Sequence, residues 1–181
     1  MKHFGIAWVL ALLMSVTGIA GAAQPAGYAD EERDWGVAPT KDYRVTEYHA
    51  PTPRTVPGVR TVTTAELKAL MDLPQMTYVI DVLGGMIHTT VARSFWLPGA
   101  GAGDMPPDEH KRFVAALAKF AGGDKARPMA FFCSSAQCWL SYNAAMRAAG
   151  EGYTNIMWYR GGIDAWRAAE LPVTQSDPFA W

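Results

Sequence analysis

The sequence predicts an α/β fold with a mainly parallel sheet and helices on both faces. Three observations lead there. Apolar runs of strand length, Tyr78-Val79-Ile80-Asp81-Val82, Met129-Ala130-Phe131-Phe132 and Ile156-Met157-Trp158-Tyr159, lack inside-outside alternation, as strands covered on both faces do. Segments with apolar residues at helical spacing lie between them. Glycine and proline mark the junctions, so strands and helices alternate along the chain.

The elements follow in order. Lys2 and His3 precede an apolar segment over 4–19, and Ala20-Gly21-Ala22 then supplies small residues at signal-peptidase spacing. Residues 1–22 are expected to be a cleaved signal peptide, with the mature protein starting near Ala23 in the periplasm. The segment is shorter than the roughly 18–20 residues that span a bilayer, so no stable membrane anchor is expected. Residues 23–60 are polar and broken by Pro25, Pro39, Pro51, Pro53 and Pro57. They suit an extended arm, and Trp35, Tyr43 and Tyr48 give it aromatics with which to dock on a domain.

The domain itself is placed at 61–175, with 176–181 as a tail. Thr63-Thr64-Ala65-Glu66 is a capping-box pattern that opens a helix to about residue 72, with Leu67, Leu70 and Met71 on one face. A strand over 78–82 follows. Residues 83–103 resist assignment apart from a short strand at 94–97 and the turn Pro98-Gly99. A helix starting at 104–107 carries Phe113, Leu117 and Phe120 inward and stops at Gly122-Gly123. The strand ending at Phe132 precedes a helix from Trp139 that closes near Gly150 or Gly152. A last strand at 155–159, the turn Gly161-Gly162 and a helix over 163–169 before Pro172 complete the domain.

Composition narrows the function. With 16 Lys and Arg against 17 Asp and Glu, the net charge is -1, and no basic stripe offers a nucleic-acid surface. Small molecules or another exported protein are the expected partners. Two cysteines are too few for a disulfide scaffold, so a hydrophobic core must hold the domain.

Those two cysteines are the candidate chemistry. Cys133 follows a buried strand, and the loop Ser134-Ser135-Ala136-Gln137-Cys138 leads to a helix beginning at Trp139. Loop amides and the helix N-terminus favour negative charge there, which would lower a thiol pKa. An isolated buried cysteine more often simply packs. Cys138 has three readings: a resolving thiol that attacks an oxidised or persulfidated Cys133, a permanent structural disulfide partner, or a reduced apolar filler. Either disulfide needs the Cα atoms within about 7 Å. Histidines at no ligand spacing argue against a metal, and none is expected.

The segment around Cys133, together with Gly152-Tyr153-Thr154-Asn155-Ile156, Arg160-Gly161-Gly162-Ile163-Asp164-Ala165-Trp166 and Leu171-Pro172-Val173, resembles the second half of a rhodanese, or sulfurtransferase, domain. Val79-Ile80-Asp81-Val82 and Leu97-Pro98-Gly99-Ala100 resemble parts of its first half. The resemblance spans about 61–173. Within that superfamily, Cys138-Trp139, Asn143-Ala144-Ala145 and the arm from Tyr43-Arg44 to 53–58 resemble the exported CxxCW-motif family associated with pyrroloquinoline-quinone (PQQ)-dependent catabolism. Four residues rather than two separate these cysteines, so that motif is not matched as written.

The resemblance implies that Cys133 takes a sulfane sulfur from a donor and carries it as a persulfide, the only cofactor-like group expected. It also makes Ser134, Ser135, Ala136, Gln137 and Trp139 the substrate-binding loop, Trp139 as a wall beside the thiol. The family's loop arginine is missing here, Ala136 stands where glycine is usual, and Leu83 replaces an arginine after the Asp-Val pair. Thiosulfate is therefore a poor expected donor. Arg160, at a strand end, either faces Cys133 in place of the lost charge or is solvated. Asp81 is read as holding a turn, His88 and Arg93 as surface residues, and Trp158 and Trp166 as core.

Two functions remain open. One is sulfane-sulfur or thiol-disulfide transfer through Cys133, with a small sulfur- or thiol-containing substrate. The other is a non-catalytic accessory module for a periplasmic PQQ-dependent dehydrogenase or its cytochrome.

Overall fold

The computed structural model describes residues 29–181, so the expected signal peptide lies outside the described residues. After a single 3-10 turn at Ala29–Glu32, the arm runs without regular structure to β1 (Arg60–Val62) and α1 (Thr64–Met71). There follow β2 (Tyr78–Asp81), β3 (Thr89–Val91), β4 (Phe95–Trp96), α2 (Pro107–Ala121), β5 (Met129–Phe132), α3 (Trp139–Gly150), β6 (Ile156–Tyr159), α4 (Gly162–Ala168) and β7 (Val173–Gln175). Five strands form one sheet in the order β1-β6-β5-β2-β4, every neighbouring pair parallel. Among the described residues, no helix is long and apolar enough to cross a membrane.

Period-two side-chain alternation feeds two cores. Ile80, Phe131 and Trp158 pack with Phe113, Leu117 and Phe120 of α2 and Tyr142 of α3. Val79, Phe132 and Tyr159 pack on the opposite face with Leu67 of α1 and Ile163 and Trp166 of α4. The expected α/β architecture is therefore present, and Trp158 and Trp166 are core.

The helix ends carry the expected chemistry. Thr63 accepts from the Glu66 amide, and the Glu66 carboxylate accepts from the Thr63 amide, closing the capping box on α1. Gly122 ends α2 with φ of 58°, a conformation in which glycine meets no Cβ penalty.

Three strands were not expected. β1 extends the sheet beside β6 at the junction placed between arm and domain, where no strand was read. β3 and β7 form a separate antiparallel pair, Thr89 opposite Gln175 and Val91 opposite Val173. The tail packs as well: the Phe179 amide donates to Trp96 O at 2.8 Å, and its ring lies against Phe95 and Phe120.

Register fixes the site. Asp81 pairs with Phe132 and Phe131 with Trp158, so β2, β5 and β6 end together. Cys133 and Arg160 both lie just beyond that edge, where open parallel sheets bind ligands.

Candidate active site

Cys133 leaves β5 with its carbonyl accepting from the Ile163 amide at 3.0 Å, and Ser134 O accepts from the Asp164 amide at 2.9 Å. The loop therefore rests on the start of α4. Gly162 makes that approach feasible: its φ is 63°, and a Cβ there would sit 2.5 Å from Cys133 O. The loop climbs to Cys138, the N-cap of α3, whose sulfur is bonded to Cys133 across a Cα separation of 6.1 Å. Both residues are buried, at 1% and 0% exposure. Of the three readings of Cys138, the reduced filler is not the state described.

The arm covers this loop from the other side. His49 forms an antiparallel bridge with Cys138, and Tyr48 O accepts the Trp139 amide at 2.8 Å. Thr52 donates its hydroxyl to Ala136 O at 2.7 Å. The Trp139 indole donates to Pro51 O at 3.1 Å, and the Arg44 guanidinium lies 5.1 Å from the Trp139 ring centroid. Further along α3, the Tyr142 hydroxyl donates to Thr40 O, and Asn143 exchanges two hydrogen bonds with the Arg44 backbone. The polar edge of Trp139 is thus spent on the arm.

Arg160 corrects its solvated reading, because it is buried with its donors turned to the arm. At 1% exposure, it directs Nε to Thr52 Oγ1 (3.1 Å), one terminal nitrogen to Thr52 O (2.9 Å) and the other to Glu31 O (2.9 Å). All three nitrogens serve the arm. Trp35 covers the guanidinium at 4.7 Å. Burial, reinforced by Arg54, lowers its pKa to about 10, opposed by Asp34 and Asp30, so it stays charged near neutral pH.

The arm is anchored a second time at Glu31. This buried carboxylate accepts from the Thr64 amide (2.8 Å) and hydroxyl (2.6 Å) at the start of α1. Burial raises its pKa, partly offset by the Thr64 hydrogen bonds.

Part of the loop's set of amides is already engaged. The Gln137 amide donates to Ser135 Oγ, the Cys138 amide to Ser135 O and the Trp139 amide to Tyr48 O. Within the loop 134–139, the amides of Ser134, Ser135 and Ala136 have no acceptor among the described residues. Ala136 in place of glycine is accommodated because positive φ outside glycine occurs, among the described residues, only at Glu47, Arg93 and Glu170.

Asp81 holds a turn, accepting from the Leu83 amide at 2.9 Å and from the Thr90 hydroxyl. His88 differs from its surface reading: its Nε2 lies 2.8 Å from Asp81 Oδ2, and its ring packs edge-on to Trp96. Arg93 is exposed and reaches Met71 O. Among the described residues, no group of three or more His, Cys, Asp or Glu is placed to hold a metal.

A cleft of about 100 Å³ opens beside the loop, lined by Ser135, Ala136, Gln137, Asp30, Trp35 and Asp164. Gln137 is the exposed loop residue. No local signal marks this wall, because its arm residues lie about a hundred positions from the cysteines and Asp164 belongs to another helix.

No curated protein matches. Similar solved structures include the rhodanese-like domain of an Anabaena sp. protein (15% identity over 65% of this chain and 78% of that one, TM-score 0.46). They also include the polysulfide-sulfur transferase homodimer of Wolinella succinogenes (19%, 65% and 79%, TM-score 0.44) and a full-length Lactobacillus plantarum protein (14%, 61% and 80%, TM-score 0.43). Residues 63–169 match the Rhodanese-like domain family, and the chain belongs to it.

Proposed function

We propose that this chain is a redox-active rhodanese-like protein in which Cys133 receives a sulfane sulfur or attacks a disulfide, and Cys138 resolves the adduct. The observation that carries the reading is the bond from Cys133, at the strand end, to Cys138, at the helix N-cap.

In the reduced form, the Cys133 thiolate attacks the outer sulfur of a donor R–S–SH. A Cys133–sulfur bond forms, the donor's S–S bond breaks, and RSH leaves. The Cys138 thiolate then attacks Cys133 Sγ, breaking its bond to the carried sulfur. The disulfide forms and the sulfane sulfur departs as hydrosulfide, two electrons passing from the dithiol to sulfur. The unclaimed amides of Ser134, Ser135 and Ala136 are the donors available to a sulfur anion, supplementing the N-terminus of α3. An outside reductant of the thiol class must reopen the pair.

A second reading has its own support, the burial of both cysteines beneath the arm. In it the disulfide is a lock, and the domain is an accessory for a periplasmic PQQ-dependent dehydrogenase or its cytochrome. Export after cleavage near Ala23 and the PQQ association are parts of both proposals and rest on the leader sequence and the CxxCW resemblance.

Alkylation separates the two. The redox reading predicts that, in reduced protein, Cys133 is alkylated faster than Cys138. Equal slow alkylation of both thiols favours the accessory reading.

A further inference from the structure

We infer that arm segment 45–55 is a gate over the disulfide: thiol exchange at Cys133 and Cys138 proceeds only while that segment is lifted, and Thr52 is its latch. The inference rests on the redox reading of the two cysteines and adds what controls access to them.

The need for a gate follows from chemistry and burial together. A thiolate opens a disulfide by approaching one sulfur in line with the S–S bond, so that sulfur must be reachable. Cys133 and Cys138 are 1% and 0% exposed and belong to the hydrophobic core. With the arm seated, neither sulfur offers that approach.

Two covers lie against the cysteine loop, and only one can leave without breaking the fold. On one side, the Cys133 and Ser134 carbonyls are tied to the start of α4, whose Ile163 and Trp166 pack against the sheet. On the other lies the arm, which has no helix or strand between 33 and 59. Its Tyr48 and Ala50 pack against the core that holds both cysteines. Openings confined to a segment without regular structure are the low-energy fluctuations of a folded chain.

The span is anchored at both ends and latched in the middle. Arg44 exchanges two hydrogen bonds with Asn143, and Gly103 lies so close to the Arg44 carbonyl that a Cβ there would overlap it. At the other end Val56 is buried in the core. Between them, Tyr48, His49, Pro51 and Thr52 all touch the loop or the start of α3. Thr52 alone of these also engages a buried cation, Arg160, through both its hydroxyl and its carbonyl. Losing that hydroxyl loosens the span and leaves the anchors in place.

The Trp139 amide reports the gate directly, because its acceptor, Tyr48 O, belongs to the arm. Exchange of that amide and reduction of the disulfide by dithiothreitol are followed on the same oxidised chain. One reagent thiolate attacks a cysteine sulfur, giving a mixed disulfide and the other cysteine's thiolate. The second reagent thiolate then attacks its own bound sulfur, releasing the remaining cysteine and leaving the reagent as a cyclic disulfide.

Thr52→Val should speed both processes by the same factor, roughly thirtyfold. Val79→Ala, in the core on the opposite face of the sheet, should change neither. A faster amide with an unchanged reduction rate overturns the gate and leaves the redox reading intact, since the bond is then reached under a seated arm. An unchanged Trp139 amide in Thr52→Val also overturns it. Reduction that occurs only with global unfolding, and so accelerates equally in Val79→Ala, removes the redox reading and the gate with it. If Thr52→Val does not fold, wild-type protein in sub-denaturing urea gives the same comparison. There the two rates should rise with one shared slope, shallower than that of global unfolding, and diverging slopes overturn the gate.

Discussion

His49 bridges Cys138, so the cysteine that caps α3 and closes the disulfide is also a point at which the arm is pinned to the domain. The redox state of the pair and the seating of the arm are therefore mechanically linked. Reduction should loosen residues 48–52. Hydrogen exchange ought to show faster labelling there in reduced protein, with α1 and α2 unchanged. Identical protection in both states would separate the arm from the cysteines.

Thr52 is the hub of the cover. Its hydroxyl donates to Ala136 O and accepts from Arg160 Nε, and all of these groups are buried. Thr52→Val keeps the shape and strands two partners, at about 2 kcal/mol, or a Tm drop of roughly 4–8 °C for a domain of this size. Arg160→Lys should also destabilise, because an ammonium does not reproduce the fork that reaches Thr52 O, Thr52 Oγ1 and Glu31 O. Thermal unfolding checks both, and a shift within error for Thr52→Val would remove it from that role.

Much of the fold was legible because it rests on local signals. The Thr63 and Glu66 capping box, the Gly122 stop and the strand ending at Cys133 are each written in a few adjacent residues. β3 and β7 were not, because each has three residues and their pairing joins positions some eighty residues apart. The arm's seat was invisible for a different reason. Thr40, Arg44, Tyr48 and Pro51 hold it through backbone carbonyls, which leave no mark on side-chain identity. Arg160 was misplaced in consequence, since nothing near it in sequence names Thr52 or Glu31.

Glu31 gives the arm a pH signature. Burial raises its pKa above the ordinary 4.5, so folding favours the protonated form. Its contribution is full below that ordinary value and is lost as pH rises through the raised one. Glu31→Gln, which still accepts from Thr64, should gain stability relative to wild type between about pH 4 and 7. Chemical denaturation at the two pH values checks this. A relative loss with rising pH contradicts the assignment.

The disulfide should contribute modestly to stability. It closes a loop with a sequence separation of 5, for which chain entropy gives about 2 kcal/mol. Denaturant unfolding of reduced against oxidised protein should return about that difference. A loss of 4–5 kcal/mol or more would mark a structural lock.

Gln137→Arg places a cation on the exposed loop position facing the acid-walled cleft. Sulfur transfer from thiosulfate, expected to be weak in wild type, should rise severalfold. Cys138→Arg is not an equivalent change, because that position is fully buried and a charge there would unseat α3. Unchanged thiosulfate turnover in Gln137→Arg would show that loop charge does not limit the anionic donor.

The central claim is that Cys133 carries sulfur and Cys138 resolves it, and intact-mass analysis tests it most directly. Reduced protein is mixed with one equivalent of an uncharged organic persulfide, and released sulfide is measured alongside mass. Wild type should return to the disulfide mass and release one sulfide, Cys138→Ser should retain one added sulfur on Cys133, and Cys133→Ser should do neither. Sulfide release undiminished in Cys133→Ser, or no added sulfur in Cys138→Ser, would contradict the account.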